Sequence, residues 1–192
     1  MSVLVSQAPD FDKYPLSPEG KNVTKNYDPL DDPEFDCQSR GIPNLSLYVY
    51  GYQWKRYPDR IEIKKEQAIT LEENRTIYLD QKAAAGKQPG ALGVSVGHFE
   101  ENGDLLVVET SNFLPTTWGI AEGIDSSAEK RVAEYFRLTN QGMRMQVSIV
   151  VEDPVYLDAP LKLYGVYDKK EDREFVYSPC DTEAAREHLK YE

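Results

Sequence analysis

Leu92-Gly-Val-Ser-Val-Gly-His-Phe-Glu-Glu-Asn-Gly-Asp-Leu-Leu-Val-Val-Glu-Thr-Ser-Asn-Phe113 is the stretch that decides the fold. Two apolar-rich runs flank Glu101-Asn102-Gly103-Asp104, and Asn-Gly is the favoured two-residue hairpin turn, because both central residues must adopt positive φ. The turn fixes a register in which Phe99 faces Leu106, His98 faces Val107 and Val96 faces Glu109. One face of the ribbon then carries Leu92, Val94, Val96, His98, Val107, Glu109, Ser111 and Phe113. The other carries Gly93, Ser95, Gly97, Phe99, Leu106, Val108, Thr110 and Asn112. His98 and Glu109 are diagonal neighbours on the first face, within reach of each other's side chains. An imidazole and a carboxylate on a mainly apolar face suggest an acid–base pair, with Glu109 orienting His98. The plainer alternative is a half-exposed histidine at a strand end beside a surface glutamate.

The same period of two continues on both sides. Ile61/Ile63, Ile69/Leu71 and Ile77/Leu79 alternate within short β-rich segments. A second hairpin pairs Arg131–Leu138 with Met143–Val151 through residues 139–142. It places Val132, Glu134, Phe136 and Leu138 on one face, opposite Met145, Val147 and Ile149. Glu134 is therefore a carboxylate in an apolar row, and burial there demands a paired donor. Arg131, Arg137 and Arg144 fall on the other face. A structural ion pair is the plainer role for Glu134 and Glu109. A catalytic one would join them to His98. Leu161–Tyr167 and Glu174–Tyr177 supply two more strands, and Asp181–Tyr191 reads as a capped helix.

Residues 1–45 contain six of the twelve prolines and the acidic run Asp28 to Asp36, which forbids a long helix or a central strand. They are expected to form an extended arm, with one short helix starting at Ser17-Pro-Glu. Residues 46–192 are expected to form the second unit. Nine or ten short strands at meander spacing, with a single terminal helix, predict an all-β chain folded as a closed, antiparallel, up-and-down barrel with the arm packed on it.

The chain has 192 residues, 22 Lys+Arg and 33 Asp+Glu, for a formal charge of −11. That balance argues against nucleic acid as a partner, which calls for a basic patch. No stretch approaches the roughly 18 apolar residues of a membrane span. Cofactors and metal sites find no motif. The acidic run lacks the glycine and terminal glutamate of a calcium loop, and Cys37 and Cys180 with two histidines match no zinc spacing. The two cysteines either form one disulfide between the arm and the C-terminal segment or sit as unrelated buried thiols. Met1 to Gln7 lacks the basic and apolar regions of a signal peptide. The expectation is a cytoplasmic protein or a chain that starts at its mature terminus. The run Tyr48-Val-Tyr50-Gly-Tyr52-Gln-Trp54 alternates aromatics along one strand face. Aromatics in a barrel mouth stack on flat or apolar ligands, although Tyr is also simply a good strand former.

The Gly93–Phe113 segment resembles the G-H-S-V-G-x-W-E-G-D-T-L-V-V-D-T-x-x-F signature of an uncharacterised family of bacterial exported β-rich proteins. Leu16-Ser-Pro-Glu-Gly20, Asp28-Pro-Leu-Asp-Asp-Pro33 followed by Cys37, Gly41-Ile-Pro43, Arg75-Thr-Ile-Tyr-Leu-Asp80, Val132-Ala-Glu-Tyr-Phe136 and Val151-Glu-Asp-Pro154 extend the likeness in order along the chain. The resemblance implies a calycin-type ligand-binding barrel. It also implies export to the periplasm or medium, which favours the Cys37–Cys180 disulfide. It implies no reaction. The family's acid is kept as Glu109, but Val94 stands where a histidine is expected, and the usual P-H-S-E reads Asp125-Ser126-Ser127-Ala128. His98 is then the remaining histidine on that face.

Two functions follow as expectations. One is a barrel that binds a small apolar or aromatic molecule, with Tyr48, Tyr50, Trp54, Trp118 and Tyr135 as walls and Glu109 or Glu134 as polar anchor. The other is a cofactor-free isomerase, lyase or hydrolase using His98 with Glu109 or Glu134. A barrel filled by its own side chains would serve neither.

Overall fold

Alternation of buried and exposed side chains along successive strands builds one large sheet. The computed structural model describes residues 9–47, 51–66, 74–100, 103–170, 174 and 179–187. Among the described residues ten strands run β1 Tyr52–Arg56, β2 Arg60–Lys65, β3 Arg75–Tyr78, β4 Val94–Glu100, β5 Leu105–Ser111, β6 Thr116–Ala121, β7 Ile124–Ser126, β8 Arg131–Thr139, β9 Arg144–Glu152 and β10 Leu161–Asp168. Eight of them form a sheet in the order β1-β2-β3-β4-β5-β8-β9-β10, and β6 and β7 pair separately. The sheet curls into a half-barrel, so that Tyr52 on the first strand and Tyr167 on the last bring their rings to 5.5 Å, edge to face.

The chain is β-rich, as the period of two predicts, but it differs from an up-and-down meander in two ways. β3 and β4 pair in parallel, Ile77 opposite Ser95 and Tyr78 opposite Val96. Residues 79–93, with a short helix at Gln81–Ala84, form the long crossover that a parallel pair requires. In addition, β5 pairs directly with β8, and the β6–β7 hairpin between them leaves the sheet.

Both predicted hairpins keep their registers. Phe99 faces Leu106, His98 faces Val107 and Val96 faces Glu109. Val132 faces Val151, Glu134 faces Ile149 and Phe136 faces Val147. The face turned inward differs in the first hairpin. Ser95, Gly97, Leu106, Val108 and Thr110 are buried, whereas His98, Glu109 and Ser111 are exposed on the convex side. Ile69 and Leu71 lie outside the described residues, as do Glu101, Asn102 and most of Glu174–Tyr177.

The concave face carries Ile61, Ile63, Ile77, Val108, Phe136, Val147 and Ile149, all buried. A half-barrel leaves this face open on one side. The β6–β7 hairpin covers part of it with Ile120 and Ile124, and the arm covers the rest with Leu16, Ile42 and Leu45. The arm is thus part of the same core. Its helix, Pro18–Thr24, begins where Ser17-Pro-Glu predicts: the Ser17 hydroxyl accepts from the Gly20 N–H at 3.0 Å and donates to the Val155 carbonyl at 2.6 Å. Beyond it the arm advances by single 3-10 turns at Pro29–Asp31, Pro33–Asp36 and Asn44–Leu47. Cys37 and Cys180 are joined in a disulfide, which ties the arm to a short C-terminal helix at Thr182–Ala185 capped by Asp181. An Arg186–Asp36 ion pair lies across the same junction.

Candidate functional site

Arg75 is the first residue of β3 and shares the inward face with Ile77. Its guanidinium reaches across the floor of the half-barrel over β4 and β5 to Glu134 in the middle of β8. Arg75 is 3% exposed and Glu134 is 0%. Nε donates to the Ser95 hydroxyl at 3.0 Å, Nη2 to Thr110 at 3.0 Å and Nη1 to Glu134 Oε1 at 3.0 Å; Nη2 also pairs with Glu134 Oε2. Ser95 and Thr110 are themselves 3.0 Å apart. This explains which face of the first hairpin packs inward: the hydroxyls on that face are partners of a buried guanidinium. A fully hydrogen-bonded fork is the arrangement in which a buried charge pair is tolerable.

The arm completes the cluster from above. The Ser46 hydroxyl donates to Glu134 Oε1 and accepts from Arg75 Nη1 at 3.2 Å. Two tyrosines at the seam hold the segment in place: the Tyr52 hydroxyl donates to the Leu45 carbonyl, and the Tyr167 hydroxyl donates to the Ser46 carbonyl. Burial pushes the Tyr167 hydroxyl up to about 12; its contact with Tyr52 opposes this and the charge on Glu134 adds to it. Trp54 stacks edge to face on Phe136 at 5.1 Å beside them. Between these rings, Ile63, Met145 and the Arg75–Ser46 contact remains a cavity of about 20 Å³. That is room for about one water, and far below the roughly 300 Å³ of a small-molecule pocket. Leu45 and Ser46 close this cavity from the arm side.

A second buried cation lies at the other end of the arm. Lys130 Nζ donates to the Ile42 carbonyl at 2.8 Å, the Gly119 carbonyl at 2.9 Å and Ser126 Oγ at 3.0 Å, and sits 4.3 Å over the Phe113 ring. Burial lowers its ammonium to about 7, with the charge of Asp153 opposing. The three acceptors join arm, β6 and β7, so this lysine is a structural tie. An open surface groove of about 580 Å³ runs beside it. Asp153 on its floor is already occupied by Ser127, Val155 and Tyr156 N–H groups and the Ser127 hydroxyl.

The structure separates His98 from Glu134 and leaves both His98 and Glu109 on the outside. His98 is 61% exposed on the convex face and pairs with Glu100 at 3.2 Å. Glu109 is exposed on that same face, and Glu134 is inside, bound to Arg75. The hairpin register is as expected, but the opposite face packs inward, so no enclosed space holds His98 with either glutamate. Of the expected wall residues, Trp54 lines the cavity. Tyr135 does not: it is 39% exposed, because residues of β8 alternate and Glu134 takes the inward position. Trp118 is buried away from the cavity, at φ +54 between Tyr27 and Arg40 on the arm. Tyr48 and Tyr50 lie outside the described residues. The sequence reading missed Arg75, Ser46, Ser95, Thr110 and Tyr167. An arginine sharing a strand face with Ile77 is the one local signal that pointed to them.

Among the described residues, no cluster of three or more His, Cys, Asp or Glu is arranged to hold a metal ion. No helix there is long and apolar enough to cross a membrane. No family model, no curated protein and no solved structure matches the chain.

Proposed function

We propose that this protein is a calycin-like half-barrel that binds a small apolar or aromatic molecule at the seam, in the space residues 44–47 occupy in this structure. The observation that carries the reading is the Arg75–Glu134 pair at the bottom of an aromatic-walled recess. A polar anchor under Tyr52, Trp54, Phe136 and Tyr167 is the composition of a ligand pocket. Its cover is a single 3-10 turn, held by hydroxyl-to-carbonyl bonds that a ligand can replace. The acid–base reading has less support, since Glu134 is engaged by Arg75 on both oxygens.

Export to the periplasm or medium is part of the same proposal. The disulfide fits an oxidising compartment, and the family resemblance points the same way. Trp54 supplies the test. In a Trp118→Phe background it is the one remaining tryptophan, and a neutral aromatic probe such as p-cresol should quench or shift its fluorescence saturably and raise the melting temperature. Unchanged emission and melting with millimolar p-cresol, indole and naphthalene derivatives would overturn the proposal.

A further inference from the structure

The interior of the site is electrically balanced, and that balance selects among ligands. Building on the pocket proposed above, we propose that its ligand is a neutral, hydroxyl-bearing aromatic molecule, a phenol or aryl alcohol, whose hydroxyl takes the place of the Ser46 hydroxyl between Arg75 and Glu134.

Ser46 fills two roles at once. It donates to Glu134 Oε1 and accepts from Arg75 Nη1. The remaining Arg75 donors are engaged by Ser95, Thr110 and Glu134. When Ser46 leaves, it therefore frees one acceptor position on Glu134 and one donor position on Arg75, side by side. A hydroxyl fills both. A carboxylate offers acceptors alone and sets a second negative charge against Glu134 in a fully buried site. An ammonium offers donors alone and sets a second positive charge against Arg75. Either leaves an uncompensated charge away from water, the costliest outcome available in a dry interior.

The walls supply the rest of the specificity. Trp54 and Phe136 meet edge to face, and a flat ring entering beside them finds aromatic edges and faces. The hydroxyls of Tyr52 and Tyr167 are released once the Leu45 and Ser46 carbonyls withdraw. They can then turn to the ligand or to water. In this view residues 45 and 46 act as a built-in stand-in for the ligand: an apolar side chain followed by a hydroxyl.

A series of para-substituted toluenes tests this. Toluene, p-cresol, p-toluate and 4-methylbenzylammonium share one ring and one methyl group and differ in the polar group presented to the anchor. Binding to the oxidised protein is read by calorimetry on the unmutated chain and by Trp54 fluorescence in the Trp118→Phe background. The expected result is that p-cresol binds at least about tenfold more tightly than each of the other three. Toluene or p-toluate binding as tightly as p-cresol overturns the hydroxyl assignment while leaving the pocket in place. Failure of all four overturns the pocket itself. A Glu134→Gln variant gives a second readout, because it leaves Arg75 with an unbalanced charge. Its preference should switch from p-cresol to p-toluate, and a retained preference for p-cresol overturns the charge-balance argument. If that variant does not fold, the four-compound series on the unmutated protein still decides the matter.

Discussion

Arg75 and Glu134 behave as a unit, and the unit sets what single substitutions do. Removing either partner strands a charge with no route to water, at a cost of about 3–5 kcal/mol. Replacing both at once, as Arg75→Met with Glu134→Leu, removes both charges and should cost far less than the sum of the two single changes. Urea unfolding of the four proteins in that cycle measures the difference. Lys130 acts through its proton. Its folded-state value of about 7 lies below the ordinary lysine value of 10.5. The unfolded chain therefore holds a proton that the folded chain has released between those two values, and stability rises with pH across that window, by on the order of 1 kcal/mol per pH unit. Above it, Tyr167 reverses the trend. Its raised value means the folded chain keeps a proton that the unfolded chain loses, so stability falls as pH climbs from the ordinary tyrosine value of 10.0 toward 12. Denaturant titrations from neutral pH upward should show the first rise, and Lys130→Met should flatten it.

At the scale of elements, the hairpins were legible because their signals are local. Asn102-Gly103 and the alternation around it set which residues face each other, and those pairings hold. Which face packs inward was not legible, for a physical reason. Val94, Val96 and Val107 on one side and Phe99, Leu106 and Val108 on the other are comparably apolar. The choice is made by Arg75, which comes from a different strand and needs the hydroxyls of Ser95 and Thr110. A long-range polar demand of this kind leaves no trace in local periodicity. Gly97 records the same choice. It faces inward, where an added Cβ would lie 2.8 Å from Ile77 Cγ2 and 3.2 Å from Leu106 Cδ1. Gly97→Ala should therefore destabilise the sheet by about 1–3 kcal/mol, as overpacking does. The change is visible in a thermal melt, and an unchanged melting temperature would show the β3–β4 contact to be looser than described.

For the whole molecule, the β class could be read from alternation and turn spacing, the Cys37–Cys180 disulfide was left open by composition and favoured only by the family resemblance, and the closure could not be read. The parallel β3–β4 pair and the departure of β6–β7 both depend on where long connections land, and proline or glycine counts do not encode that. The arm then takes the place of the strands that would close a barrel, and its attachment matters to the entire fold. Cys37 and Cys180 are separated by 143 residues. In the chain-entropy picture, a cross-link spanning so much chain stabilises by up to about 5 kcal/mol. Reduction under mild conditions, or a Cys37→Ser/Cys180→Ser double variant, should lower the unfolding midpoint by several degrees. An unchanged midpoint would mean that the arm is held by its other contacts alone.

The seam segment has anchors on both sides: upstream the disulfide at Cys37 and the Lys130 bond to the Ile42 carbonyl, downstream the entry into β1 at Tyr52. If the proposed ligand displaces this strap, the strap cannot diffuse away. It would stay beside the site as a tethered competitor at an effective concentration on the order of millimolar. The ligand would then be weighed against a rival that never leaves, and its observed affinity would fall by the fraction of time the strap spends open.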